Sequence, residues 1–410
     1  MRYQNTILIA CLLYLVMLCS CTSSKHKIDV TAIPPSFTYQ QLFDALSDTV
    51  RIHFYDTAFI QKTFPQLTAK YREQVLMVPD RAGFDRLVRD YLAEFHTSHT
   101  SYHTQDDHTY FHLAGIFEPL PNVQAVFGAD GVQYPSIGLL TERHNKEIVV
   151  VGVLDGSPAQ AAGLLKGDVM QYLDREVYSI AVLRKNLDRN ISFPIKRGGQ
   201  SILVDVTPRM VRAQEEMQEA CRQSARLIEK NGKKIAYIHM WSFAGRQYYE
   251  LLQEQLLYGD LAQADALILD IRDGWGGASP EYLNIFNRNI PNLVFYDRQR
   301  QSRTFSTQWR KPVGLLINNG SRSGKEILAY GFKKYNIGPV IGEKTAGAVT
   351  AGRIFFLPDN SLLYLAVNEV AIDGEILEGI GVYPDITASD DPITPQDEQL
   401  EEAVRVMSEM

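Results

Sequence analysis

Apolar positions recur along this chain at two different periods, and the change of period divides it. Over residues 37–96 the segments F-T-Y-Q-Q-L-F-D-A-L, F-I-Q-K-T-F-P-Q-L and F-D-R-L-V-R-D-Y-L-A-E-F carry apolar residues at i, i+3 and i+4. That is the spacing of amphipathic helices, and Asp80 stands where an N-cap opens the last of them. Residues 122–210 read as β-rich, with a β-branched run at 148–153. A helix is predicted over 211–229, and from there strands and helices alternate. Strands fall at 235–240, 266–271 (A-L-I-L-D-I) and 313–317, helices at 248–257 and 325–335. A hairpin follows at R-I-F-F-L-P-D-N-S-L-L-Y-L-A-V, and the charged stretch 396–406 closes the chain as a helix. Such alternation predicts an α/β core with an open sheet behind a helical part and a β-rich part.

Composition changes this picture little. The 410 residues are 45% hydrophobic with a net charge of -7, enough for several cores and without the basic footprint of a nucleic-acid binder. The cysteines matter more for their place: Cys11, Cys19 and Cys21 crowd the start, leaving Cys221 as the one further on, so no internal disulfide framework is implied. Met1-Arg2 and the apolar run 7–18 have the make-up of a secretory leader, too short to span a bilayer. The run ends in L-C-S-C, which resembles a bacterial lipobox with Cys21 as the lipidated residue. That resemblance implies a leader over 1–21, a polar tether over 22–34, and a lipid-anchored location in the cell envelope, periplasmic or surface-facing.

Chemistry concentrates in three places. In P-V-G-L-L-I-N-N-G-S-R-S-G-K-E-I-L-A-Y-G-F-K-K-Y, residues 312–335, a buried strand turns through Asn318, Asn319 and Gly320 into an amphipathic helix. Ser321 and Ser323 sit at the turn, where serines either cap the helix or serve as a nucleophile beside unpaired N–H groups. In R-D-G-W-G-G, residues 272–277, no G-K-[ST] follows, so a phosphate loop is excluded, and the pattern is not a dinucleotide fingerprint. Its glycines let backbone N–H groups come close to a ligand. In E-F-H-T-S-H-T-S-Y-H-T-Q-D-D-H, residues 94–108, His96, His99 and His103 would share a face only if the helix continued. The Thr/Ser content opposes that, and no H-E-x-x-H is present, so a single catalytic histidine fits better than a metal site.

The string G-S-P-A-Q-A-A-G-L-L-K-G-D with the preceding P-S-I-G-L-L closely resembles a PDZ domain, placed over residues 118–210. The resemblance implies an extended peptide added at the strand of Ile137, Gly138, Leu139 and Leu140. Four further strings, L-D-I-R-D-G-W-G-G, N-N-G-S-R-S-G-K-E-I-L-A, G-E-K-T-A-G-A and E-G-I-G-V-Y-P-D, occur in that order. Together they resemble the S41 serine peptidases, the tail-specific or C-terminal processing proteases, across residues 35–395. The resemblance implies a helical domain over 35–110, an α/β peptidase core with a mixed sheet over 211–395, a C-terminal helix over 396–410, polypeptide substrates, and no cofactor or metal. It places the nucleophile three residues before Glu326, at Ser323 rather than Ser321. Alanine stands at 348, where the Ser/Lys branch has its lysine, and Lys325 and Lys344 are out of register. The branch resembling the tricorn core instead uses a Ser–His–Ser–Glu tetrad, whose T-S-H motif matches Thr97-Ser98-His99. On that template His99 is the base and Ser98 with Glu378 orients it, while Asp373 and Glu375 remain open as the acidic partner. The Gly276 and Gly324 N–H groups become the oxyanion donors. The expected activity is peptide-bond hydrolysis, the competing reading a catalytically inactive peptide- or ligand-binding protein on the same scaffold.

Overall fold

A computed structural model describes residues 37–144, 147–173, 176–390 and 396–410. The expected leader, Cys21 and the tether lie outside the described residues. Among the described residues no helix is long and apolar enough to cross a membrane.

A six-stranded mixed sheet lies at the centre of the C-terminal half. Its order is Ile386–Thr387, Val340–Gly342, Val313–Ile317, Ala266–Asp270, Lys233–His239 and Arg226–Lys230. Neighbours are parallel except the last pair, which is antiparallel. Ala266–Asp270 and Val313–Ile317 are buried at every position because both faces of the sheet are covered. Leu267, Leu269, Leu315 and Ile317 pack with Leu251 and Leu252 of the helix Arg246–Leu257 and Leu328 and Phe332 of the helix Gly324–Lys334. Their neighbours Ile268 and Leu316 point the other way, onto Ala403 and Met407 of the closing helix Glu398–Glu409. The two-residue alternation of a strand sets that division.

Arg272 bolts this helix to the sheet. Its guanidinium binds Asp270 (Nη2–Oδ2 2.7 Å) and the N-cap residue Asp397 (Nη1–Oδ1 2.8 Å). Burial alone would raise the Asp270 carboxyl, but the Arg272 charge holds it well below its ordinary range.

Four helices, Tyr39–His53, Thr57–Lys62, Phe64–Val75 and Arg81–Ala93, form the N-terminal part, the last capped by Asp80 as expected. They do not close a core by themselves. Phe43, Leu46, Phe84 and Tyr91 pack against Leu363, Leu365 and Ala366 of the late strand Leu362–Asn368. The short strand Ser101–His103, inside the histidine-rich patch, joins the same hairpin antiparallel, giving the order Ser101–His103, Leu362–Asn368, Ala351–Phe356. Residues near 100 and near 360 thereby share one sheet.

The β-rich part holds a five-stranded antiparallel sheet ordered Leu139–His144, Glu147–Val153, Val169–Met170, Ile191–Arg197, Gln200–Val206. Leu139–His144 is an edge strand, so its outer main-chain groups have no sheet partner among the described residues. The predicted helix 211–229 is corrected by the structure. Ala213–Ser224 is helical and Arg226–Lys230 is a strand, whose largely exposed, charged pattern hid it.

Candidate active site

The helix Arg81–Ala93 stops before the histidines, and His96 and His99 take left-handed φ values of 50° and 54°. The three histidines therefore do not share a helical face. The tight path instead delivers Ser98 and His99 to the end of the late hairpin. There the Ser98 hydroxyl donates to Glu378 Oε2 (2.8 Å), and its backbone N–H donates to Oε1 (2.8 Å). The same hydroxyl lies 2.9 Å from His99 Nδ1. Ser98 has one proton to give, and the carboxylate takes it. A hydrogen on Nδ1 donated to Ser98 Oγ completes that chain and leaves Nε2 as the basic nitrogen.

Glu378 also accepts from the N–H groups of Val349 (2.6 Å) and Thr350 (3.2 Å). The nearby acids are engaged elsewhere: Asp373 binds Lys334 (2.7 Å) and Glu375 binds Tyr330 (3.0 Å), both exposed. Thr350 belongs to the cluster without having been expected. Its hydroxyl is 2.8 Å from Ser98 Oγ and 3.2 Å from His99 Nδ1. No motif marks it, because only folding brings position 350 to position 98. Burial pushes the His99 imidazole down to about 4, opposed by the Glu378 charge and aided by that of Arg322. A neutral imidazole can accept a proton at any pH above that value.

At the strand-to-helix turn the two serines differ. Ser321 is fully buried; its hydroxyl donates to the Ile271 carbonyl (2.9 Å) and accepts from Asn318 N–H (3.1 Å), so it fastens the turn. Ser323 is half-buried with φ 59° and ψ -128°, a strained conformation for a residue with a side chain. Its N–H donates to the Ala348 carbonyl (2.8 Å). Glu326 accepts from the N–H groups of Ala348 (2.7 Å) and Gly347 (2.8 Å) and so holds the turn after Thr345 against the serine. Alanine thus occupies a position next to Ser323. Neither nearby lysine replaces it: Lys325 is buried with its amine on the carbonyls of Trp241, Arg272 and Asp273, and Lys344 lies over the Tyr383 ring.

Gly276 fits against the serine so closely that a Cβ there would come within 2.6 Å of Ser323 Cβ and 2.9 Å of Gly324 N. Gly324 opens the helix, where N–H groups lack intrahelical partners, and a Cβ on it would strike Ala278 N at 2.3 Å. Ser98, His99, Gly276, Arg322 and Ser323 line one cleft of about 2260 Å³. Among the described residues no hydrogen bond joins Ser323 directly to His99; such bonds often tighten only around substrate. Of the residues expected to take a peptide, Ile137, Leu139 and Leu140 have buried side chains, and the Ile137 and Gly138 carbonyls accept from Ala159 (2.8 Å) and Leu154 (2.9 Å), so what the edge offers is main chain from Leu139 onward.

The turn, the glycine loop and the sheet apart from its edge strand Arg226–Lys230 and Lys233 lie within residues 234–388, which match the model of peptidase family S41. That stretch is what this chain shares with the S41 peptidases. The chain is similar to carboxyl-terminal-processing peptidase 2, chloroplastic, of Arabidopsis thaliana, 27% identical over 357 residues, 80% of this chain and 66% of that protein. It is also similar to a "Probable CtpA-like serine protease" of Staphylococcus aureus, 26% identical over 269 residues, 62% of this chain and 52% of that protein. The matches thus span between half and two thirds of these relatives. The photosystem II D1 C-terminal processing protease shares the fold with a TM-score of 0.53 at 20% identity, covering 91% of this chain and 98% of that one. The tricorn protease does so with a TM-score of 0.55 at 18% identity, covering 91% of this chain and 36% of its own.

Proposed function

We propose that this S41 chain is a serine endopeptidase of the cell envelope that hydrolyses unfolded or C-terminally exposed polypeptides through an acyl-enzyme. The observation that carries the reading is the chain Glu378–Ser98–His99, hydrogen-bonded throughout and opening on the cleft that also holds Ser323. Ser323 attacks the scissile carbonyl while His99 Nε2 takes its proton. Ser98 and Glu378, with Thr350 beside them, fix the tautomer and stabilise the imidazolium. The developing oxyanion receives the N–H groups of Gly276 and Gly324, each worth about 3–4 kcal/mol of barrier. The imidazolium then protonates the leaving amine, and water, activated by the same histidine, releases the acyl group.

The β-rich part, read as a PDZ domain over 118–210, captures substrate main chain at its Leu139–His144 edge. Two contacts join it to the glycine loop: Lys166 to Asp273 (3.1 Å), and Asp155 to the Trp241 indole (2.8 Å), whose carbonyl accepts from Trp275 N–H (2.7 Å). Lipidation at Cys21 and the tether over 22–34 would hold the domains at a membrane.

Cleavage of casein by the wild type, Ser323→Ala and His99→Ala tests the assignment. Each variant is expected to lose at least roughly 10³-fold in kcat, because members of such a unit act together. Equal cleavage by all three would rule it out, and no cleavage by wild type would favour a binding protein on the same scaffold.

A further inference from the structure

Arg322 immediately precedes the proposed nucleophile and lines the same cleft. Its Nε is buried without a hydrogen-bond partner. Its Nη2 reaches only to 3.9 Å from Glu142 Oε1, with both side chains more than two-fifths exposed, so the pair contributes little. Three other cations of the cleft are better matched: Lys166 with Asp273 (3.1 Å), Arg89 with Asp107 (3.3 Å) and Arg246 with Glu250 (2.9 Å), while Arg86 and Arg143 do not adjoin the proposed nucleophile in sequence. The Arg322 charge also acts on the His99 imidazole, the Tyr364 phenol and the Lys325 amine. At His99 it works against proton acceptance, so the site keeps an under-neutralised cation at a cost to its own base.

A planar guanidinium fork with a spare donor matches a carboxylate in shape and charge. We propose that Arg322 is the carboxylate-binding residue of the cleft, and that preferred substrates place a carboxylate, from an acidic side chain or a free C-terminus, beside the scissile bond. This deepens the peptidase reading and rests on it. Glu142, on the edge strand Leu139–His144, is the internal competitor for the same fork. A bound carboxylate would offset the Arg322 charge at the moment His99 takes its proton.

One fluorescent peptide series tests this, with Glu or Gln stepped through each position and the C-terminus free or amidated. Binding is read by anisotropy on Ser323→Ala, and cleavage on the wild type. At least one acidic form is expected to bind roughly tenfold tighter than its neutral twin, the size of one charge-assisted contact. The advantage is expected to fall to within about twofold when Arg322→Gln is added, and to grow with Glu142→Gln, which releases the fork. Which arm carries it, side chain or C-terminus, identifies the source of the carboxylate. Equal binding of acidic and neutral forms overturns the proposal, as does an advantage that survives Arg322→Gln. If the charge preference holds but the wild type cleaves no peptide, the peptidase reading fails while the carboxylate site stands.

Discussion

Thr350 shows how much of this site is decided by single side chains. Its hydroxyl touches both Ser98 and His99, so it helps settle which way the imidazole faces. Thr350→Val keeps the shape and removes the hydroxyl; kcat is expected to fall roughly tenfold with KM nearly unchanged, and Thr350→Ser to restore most of it. Steady-state kinetics on one peptide decide, and an unchanged kcat removes Thr350 from the machinery. If His99 is the base, as proposed, its pKa, pushed down to about 4 by burial, should set the acid limb of kcat/KM near that pH instead of near 6.5. Arg322→Gln removes a cause of the lowering and should move the limb to higher pH; a limb that stays put denies the two residues their coupling. Stability has its own sign. Both His99 and His103 are held low by burial, so below about 6.5 the unfolded chain binds protons that the folded chain refuses. Melting temperature should therefore drop between pH 7 and pH 5, and that drop should shrink in His103→Gln.

At the scale of elements, the glycine loop and the helix Gly324–Lys334 meet with no spare room. Gly276→Ala must push the loop or Ser323 aside, given the 2.6 Å approach. A loss of about 10²–10³ in kcat is expected, the size of a missing oxyanion donor, with the fold intact by circular dichroism. Activity within a few fold of wild type would mean that the loop is not the donor. Arg272→Met leaves the Asp270 charge buried without its cation, with the Tyr237 hydroxyl still donating to it, and loosens the closing helix, so denaturant unfolding should report a loss of about 3–5 kcal/mol. These elements were largely legible in the chain. The strands 266–271 and 313–317 are almost wholly apolar, broken only by Asp270 and Gly314, and the glycine strings fall directly after them. Two of the elements that escaped had no apolar signature. Arg226–Lys230 is charged and largely exposed, and Ser101–His103 is three residues within a polar patch. The hairpin Leu293–Tyr296 with Ser302–Phe305 does carry an apolar run, L-V-F-Y, but turns it to solvent, which no sequence pattern shows.

Across the whole molecule, the N-terminal helices and the late hairpin hold a core in common, which periodicity cannot show because it pairs positions far apart in the chain. Leu363→Ala, in the middle of that core, is expected to cost about 2–5 kcal/mol and to lower activity well before the central sheet melts. Simultaneous unfolding of both would show that the parts are more tightly joined than their separate cores imply. Motif order is what placed the proposed tetrad in the chain, since T-S-H and E-G-I-G each stand in recognisable strings. The meeting of Ser98 with Glu378 is a property of the fold alone.

That meeting has a consequence for timing. A ribosome emits His99 long before Glu378, and until the last quarter of the chain arrives the histidine has neither its acidic partner nor the sheet that seats it. On the proposed assignment, a growing or truncated polypeptide is therefore harmless to itself and its neighbours. The order of synthesis acts as a safety catch, released only when the C-terminal hairpin folds back onto the first helices.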